Sequence, residues 1–152
     1  AYEPVPENYA RLVRNLKANG IDNVTAINSA VTGDGRDLTL IGHLDKNSGG
    51  ISAFTSNGHG EAKYVVPSVT LADVFRVYNL SRVRLLKIDC EGAEYEILRA
   101  FEQLNLVDHV RGEFHTNATI RALGETPEKL RGLLETHINP EHVKVHYCEI
   151  AA

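Results

Sequence analysis

Val83-Arg84-Leu85-Leu86-Lys87-Ile88-Asp89-Cys90-Glu91-Gly92 is the stretch whose reading decides the fold. Val83, Leu85, Leu86 and Ile88 make a short apolar run that stops at Asp89. Such a run fits a strand buried on both faces, the kind that parallel sheets use when helices cover them. A helical stripe follows, with Ile97, Leu98, Phe101 and Leu104, and the helix is expected to start near Glu91-Gly92. Upstream, Leu71, Val74, Phe75 and Tyr78 mark another helix; downstream, Val107 to Phe114 reads as a strand closing in Glu113-Phe114-His115. Thr126-Pro127-Glu128 carries a helix start, with Thr as N-cap, Pro in the first position and an acid facing the dipole. Leu130, Leu133 and Leu134 are its inward face, and Val143, Val145 and Tyr147 alternate as a last strand. Strands alternating with helices build βαβ units, so the fold class is α/β with a mostly parallel sheet.

Toward the N-terminus, Ala1-Tyr2-Glu3 reads as the tail of a strand, which Pro4 and Pro6 stop. Tyr9, Leu12, Val13 and Leu16 follow at helical spacing, and Gly20 ends that helix. Val24, Ala26 and Ile27 suggest a second strand running toward Asn28-Ser29-Ala30. Residues 33–68 differ in texture. Gly33-Asp34-Gly35 is a turn, Leu38 to Ile41 and Lys63 to Thr70 are strand-like, and Asn47-Ser48-Gly49-Gly50 and Asn57-Gly58-His59-Gly60 are loop clusters. The segment reads as a β-rich insertion within one domain spanning residues 1–152.

Length and composition agree with a single domain. The chain has 152 residues, 43% apolar and 24% charged, which excludes a disordered or collagen-like protein. Sixteen basic against 20 acidic side chains give a formal charge of -4, which argues against a nucleic-acid module. No apolar run is long enough for a membrane span, and no signal-peptide pattern is read in the opening residues. Two cysteines, Cys90 and Cys148, make neither a disulfide framework nor a zinc site, so a reducing, cytoplasmic setting is expected. The sequence contains no methionine, so a processed chain or a piece of a longer one is expected.

Ligands of open α/β sheets bind at the carboxyl ends of the strands. Those ends read as Glu3, Asn28-Ser29, Asp89-Cys90-Glu91 and Glu113-Phe114-His115. Acids crowded along one rim are unfavourable unless a ligand or cation offsets their charge. An acid closing an early strand suits a ribose, because one carboxylate can accept from both hydroxyls; Glu3 fits that role. His115, beside Glu113 and Asp89, can serve as a general base. The same three residues offer donors for Mg²⁺ or another divalent ion, although no metal site is assigned. Lys87 is expected to pair with an acid, and Cys90 to sit as a small core residue beneath the site.

Glu3-Pro4-Val5-Pro6-Glu7-Asn8, with Leu12, Asn15, Leu16 and Asn19, resembles the early motif of the FkbM family of S-adenosylmethionine-dependent methyltransferases. Leu86-Lys87-Ile88-Asp89-Cys90-Glu91-Gly92-Ala93-Glu94, then Ile97-Leu98, resembles that family's most specific segment. Thr70-Leu71-Ala72-Asp73 and Glu113-Phe114-His115 fall in the matching order. The resemblance implies a Rossmann-like methyltransferase fold, here lacking the first strand and its Gly-rich loop. It implies that Glu3 holds the cofactor ribose, that Asn28, Ser29 and Ala30 lie near the adenine, and that Asp89 and Glu91 line the floor where the methyl moves. His115 and Glu113 would stand beside the acceptor, a hydroxyl of a sugar or polyketide-like small molecule. Two other readings stand beside this one. A non-catalytic assembly module could pair its open sheet edges with another copy. A metal-dependent hydrolase could be built on Asp89, Glu113 and His115.

Overall fold

The computed structural model describes residues 1–42 and 62–150. The two expected loop clusters, at residues 47–50 and 57–60, lie outside the described residues. In chain order the elements are α1 (Pro6–Ala18), β1 (Ala30–Thr32), β2 (Leu38–Gly42), β3 (Ala62–Val66), β4 (Ser68–Thr70) and α2 (Leu71–Val77). They continue with β5 (Leu86–Ile88), α3 (Glu94–Ala100), β6 (Val110–Thr116), α4 (Ala118–Ala122), α5 (Pro127–Glu135) and β7 (Val143–Glu149).

The architecture is mixed α/β and mostly parallel, consistent with a Rossmann-like methyltransferase fold. β5, β6 and β7 form a three-stranded parallel sheet in that order, and β1 pairs with β4 in a second parallel sheet. β2 and β3 form an antiparallel pair within the 33–68 segment. Ser68 already belongs to β4, so the end of that segment rejoins the parallel layer. A parallel bridge between Tyr2 and Ile27 marks the extended N-terminal segment. Among the described residues, β5 has a ladder partner on one side only.

Local chemistry explains most element boundaries. Thr70 and Asp73 close a capping box at the start of α2, each satisfying a backbone N–H that a helix start would leave open. Thr126 caps α5 through the N–H of Lys129, with Pro127 in the first turn, as the sequence suggests. The main core lies between the β5-β6-β7 sheet and the helices on it, where Leu98, Val110, Phe114, Leu130 and Leu134 are wholly buried. Burying each such side chain contributes roughly 1.5–3 kcal/mol. A smaller cluster of Val5, Ala30, Leu38, Leu40 and Val66 sits under the other strands. Helix α3 joins the two regions. It packs on α5 and also touches β1, and Arg36, beyond β1, pairs with Glu96 at 2.8 Å.

Several expectations need correction. The strand expected at Val24 to Ile27 forms only the single bridge at Ile27, and the ladder begins at Ala30, because Ser29 and Ala30 are where the chain meets Pro67. β5 is shorter than Val83 to Ile88 and is buried on one face, since Leu85 and Lys87 are exposed. The stripe of α1 is no deep core face, because none of its residues is fully buried. α3 starts at Glu94 because Glu91 and Gly92 take left-handed backbone angles that cannot belong to a helix. It ends before Phe101 and Leu104, which nevertheless join the core. α4 has no counterpart in the sequence reading.

Gly112 sets how closely β5 and β6 approach. It stands opposite Ile88, and a Cβ there would land on the Ile88 carbonyl oxygen. Gly112→Ala is therefore expected to lower stability by about 1–3 kcal/mol or more, read as a lower urea midpoint. An unchanged midpoint would show that the two strands can part without loss.

Candidate functional site

Strand β5 delivers Asp89 and Cys90 to a tight turn in which Glu91 has φ 50° and Gly92 φ 108°. The turn doubles back so that Glu94, first residue of α3, reaches under it. The Glu94 carboxyl group is wholly buried. Its Oε1 accepts from the Cys90 N–H at 2.8 Å and its Oε2 from the Gly92 N–H at 3.0 Å. Oε1 also lies 2.9 Å from Nδ1 of His115, which β6 brings in from the neighbouring strand.

His115 is buried, and its other nitrogen, Nε2, faces two more acids. Glu113 Oε2 is 3.6 Å away and Glu91 Oε2 3.8 Å away. Glu113 and His115 share one side of β6 because strand side chains alternate. From β7, Cys148 stands in register with His115 and donates from Sγ to Glu113 Oε2 at 3.2 Å. Asp89 is exposed and pairs with Lys87 at 3.2 Å, the expected partner. The structure thus gathers Asp89, Glu91, Glu113 and His115 at the carboxyl ends of β5 and β6.

The electrostatics follow from this crowding. Burial alone would lower the His115 pKa, but the hydrogen bond to Glu94 and the charges of Glu94, Glu91 and Asp89 outweigh it and raise the value above 6.5. Burial raises Glu91, helped by Asp89, Glu94 and Glu113 and opposed by His115. Burial and Glu94 push the Cys90 thiol up to about 12, which suits an inert packing residue. The hydrogen bond to Glu113, then burial, pushes Cys148 up to about 11.

Two sets of donor atoms lie within 4.8 Å of one another, Asp89-Glu91-His115 and Glu113-His115-Cys148. Both sets include His115.

Glu3 and Asn28 form a separate group, each next to a residue of the isolated bridge between Tyr2 and Ile27. Asn28 Nδ2 donates to the carbonyls of Glu3 and Pro4 at 2.9 and 3.1 Å. Glu3 Oε1 accepts from the Val5 N–H at 2.9 Å. Burial raises the Glu3 pKa against the hydrogen bonds from Val5 and Asn8, which lower it. Among the described residues no ion pair joins it to a base. Ser29 is buried and spends its hydroxyl on the Pro67 and Ala30 carbonyls, and Ala30 is buried at the head of β1.

Comparison with known proteins settles the family. A model of the methyltransferase FkbM domain matches residues 1–138. The chain belongs to the FkbM methyltransferase family. Methyltransferase 1 of Beauveria bassiana (strain ARSEF 2860) is 30% identical in a match that covers 79% of this chain. The chain spans 59% of the length of that relative. No solved structure matches the chain. None of its described helices is long and apolar enough to cross a membrane.

Two residues escaped the sequence reading of this methyltransferase domain. Glu94 was legible only as part of a motif; the signal for its role is an acid two residues after Gly92, placed to accept from the turn. Asn117 reads as a chance glycosylation sequon, yet it is buried and caps α4 through the Ile120 N–H at 2.9 Å.

His115 also links stability to pH. Its folded pKa is raised, so its contribution is complete below the ordinary imidazole value of 6.5 and is lost as pH rises through the folded value. Urea midpoints are expected to fall as pH climbs from 6.5, and His115→Gln should flatten that fall. Parallel pH profiles for the two proteins would contradict the charge assignment.

Proposed function

We propose that this domain serves an S-adenosylmethionine-dependent O-methyltransferase acting on a hydroxyl of a sugar or polyketide-like small molecule. The observation that supports it best is the cluster around His115, a buried imidazole flanked by Glu91, Glu94 and Glu113 at the strand ends. The cofactor supplies an electrophilic methyl group on a sulfonium. Glu3 is the residue to hold it. A partly buried carboxyl with a raised pKa and no basic partner among the described residues suits donor hydroxyls, and a ribose presents two.

The chain's own contribution is alignment and proton removal. Were the acceptor oxygen to bond to the methyl carbon, the carbon–sulfur bond would break and leave a neutral thioether, and the hydroxyl proton would pass to His115 Nε2. The raised His115 pKa favours that transfer. The resulting imidazolium would stand between the carboxyl groups of Glu91 and Glu113, which stabilise it. Asp89 lines the same rim.

The test uses calorimetry with S-adenosylmethionine and methyl transfer to a panel of hydroxylated acceptors, in the protein that carries this chain. Glu3→Ala is expected to weaken cofactor binding about tenfold or more, the loss of charge-assisted hydrogen bonds, with turnover at saturation preserved. His115→Ala is expected to lower turnover by about 10²–10⁴-fold with cofactor affinity intact. Equal losses of cofactor affinity in both variants would contradict the two roles.

A further inference from the structure

We infer that Glu94 is a positioning residue for His115: its buried carboxyl group accepts a hydrogen bond from Nδ1–H of the imidazole, which keeps the proton on Nδ1 and leaves Nε2 bare toward the strand ends. This rests on the reading of His115 as the proton acceptor. A neutral imidazole has one N–H and one acceptor nitrogen, and the partner of one decides the state of the other. Both Glu94 oxygens already accept backbone N–H groups, from Cys90 and Gly92. The carboxyl group is thus arranged as an acceptor, and the ring nitrogen 2.9 Å from Oε1 is the donor. The proton then sits on Nδ1, and Nε2 carries the lone pair.

The surroundings agree with this assignment. Among the described residues, the titratable side chains that pair with the ring or share a donor set with it are acidic or neutral: Asp89 after β5, Glu91 in the turn, Glu94 on α3, Glu113 on β6 and Cys148 on β7. Glu94 differs from the other acids in two respects. Two backbone donors hold it in place, and it is wholly buried. Glu91 and Glu113 stand 3.8 and 3.6 Å from Nε2, beyond hydrogen-bond distance. They can attract a proton arriving at Nε2 without having fixed the ring beforehand. An amide at residue 94 cannot reproduce the arrangement. If its oxygen faces the ring, its NH₂ group confronts the Gly92 N–H. If its NH₂ group faces the ring, Nδ1 must accept and Nε2 must carry the proton.

Ring ¹⁵N shifts of His115 in the full protein, recorded where the ring is neutral, test this directly. The wild type is expected to show a protonated Nδ1 and a bare Nε2. This measurement needs no variant and survives if Glu94→Gln fails to fold. In a folded Glu94→Gln protein the tautomer should become mixed or reversed. In the same variant kcat should fall by about 10²-fold or more, with the acceptor KM within about threefold. Nε2–H in the wild type, or an unaltered tautomer in Glu94→Gln, would overturn the assignment. If the wild-type protein transfers no methyl group to any acceptor, the functional reading fails, while the ring shifts still decide the role of Glu94.

Discussion

A carboxyl group with no exposed surface, held by two backbone N–H groups and an imidazole, organises this molecule. Removing a charge from water is unfavourable by several kcal/mol unless partners compensate. Glu94 has three such partners, from the turn before it and from the next strand. One side chain therefore fixes the turn after β5, the start of α3 and the orientation of His115.

The sheet brings the remaining groups to the same place. Gly112, three residues before His115, lets β5 and β6 approach at Ile88, and the register between β6 and β7 sets Cys148 beside the ring. Helix α3 packs on the large core through Ile97 and Leu98 while Glu96 pairs with Arg36 beyond β1. The small core, whose Val5 and Ala30 follow closely on Glu3 and Asn28 in the chain, is thereby tied to the helix that carries Glu94.

Much of this was legible in the sequence, for identifiable reasons. Helical spacing located α2 and α5, and alternation located β7, because packing against one face imposes those periods. Asp89, Glu91, Glu113 and His115 could be named together because strand ends share a rim. The failures have equally definite causes. Left-handed angles at Glu91 and Gly92 delay α3, and periodicity does not report them. α4 is five residues long, too short to display a stripe, and depends on a cap at Asn117. An apolar Leu85 suggested two covered faces for β5, whereas one face is open. Glu94 stayed hidden because an acid in a first helical turn is ordinarily explained by the dipole alone.

Residue 91 embodies a compromise between comfort and chemistry. Glycine would adopt its backbone angles freely, whereas an L side chain there is penalised by roughly 1–2 kcal/mol. The chain bears that penalty and retains an acid, whose Oε2 looks at the bare side of the imidazole. Any effort to make this domain more robust by relaxing its most strained loop would therefore begin by erasing one of the groups that gives the histidine its surroundings.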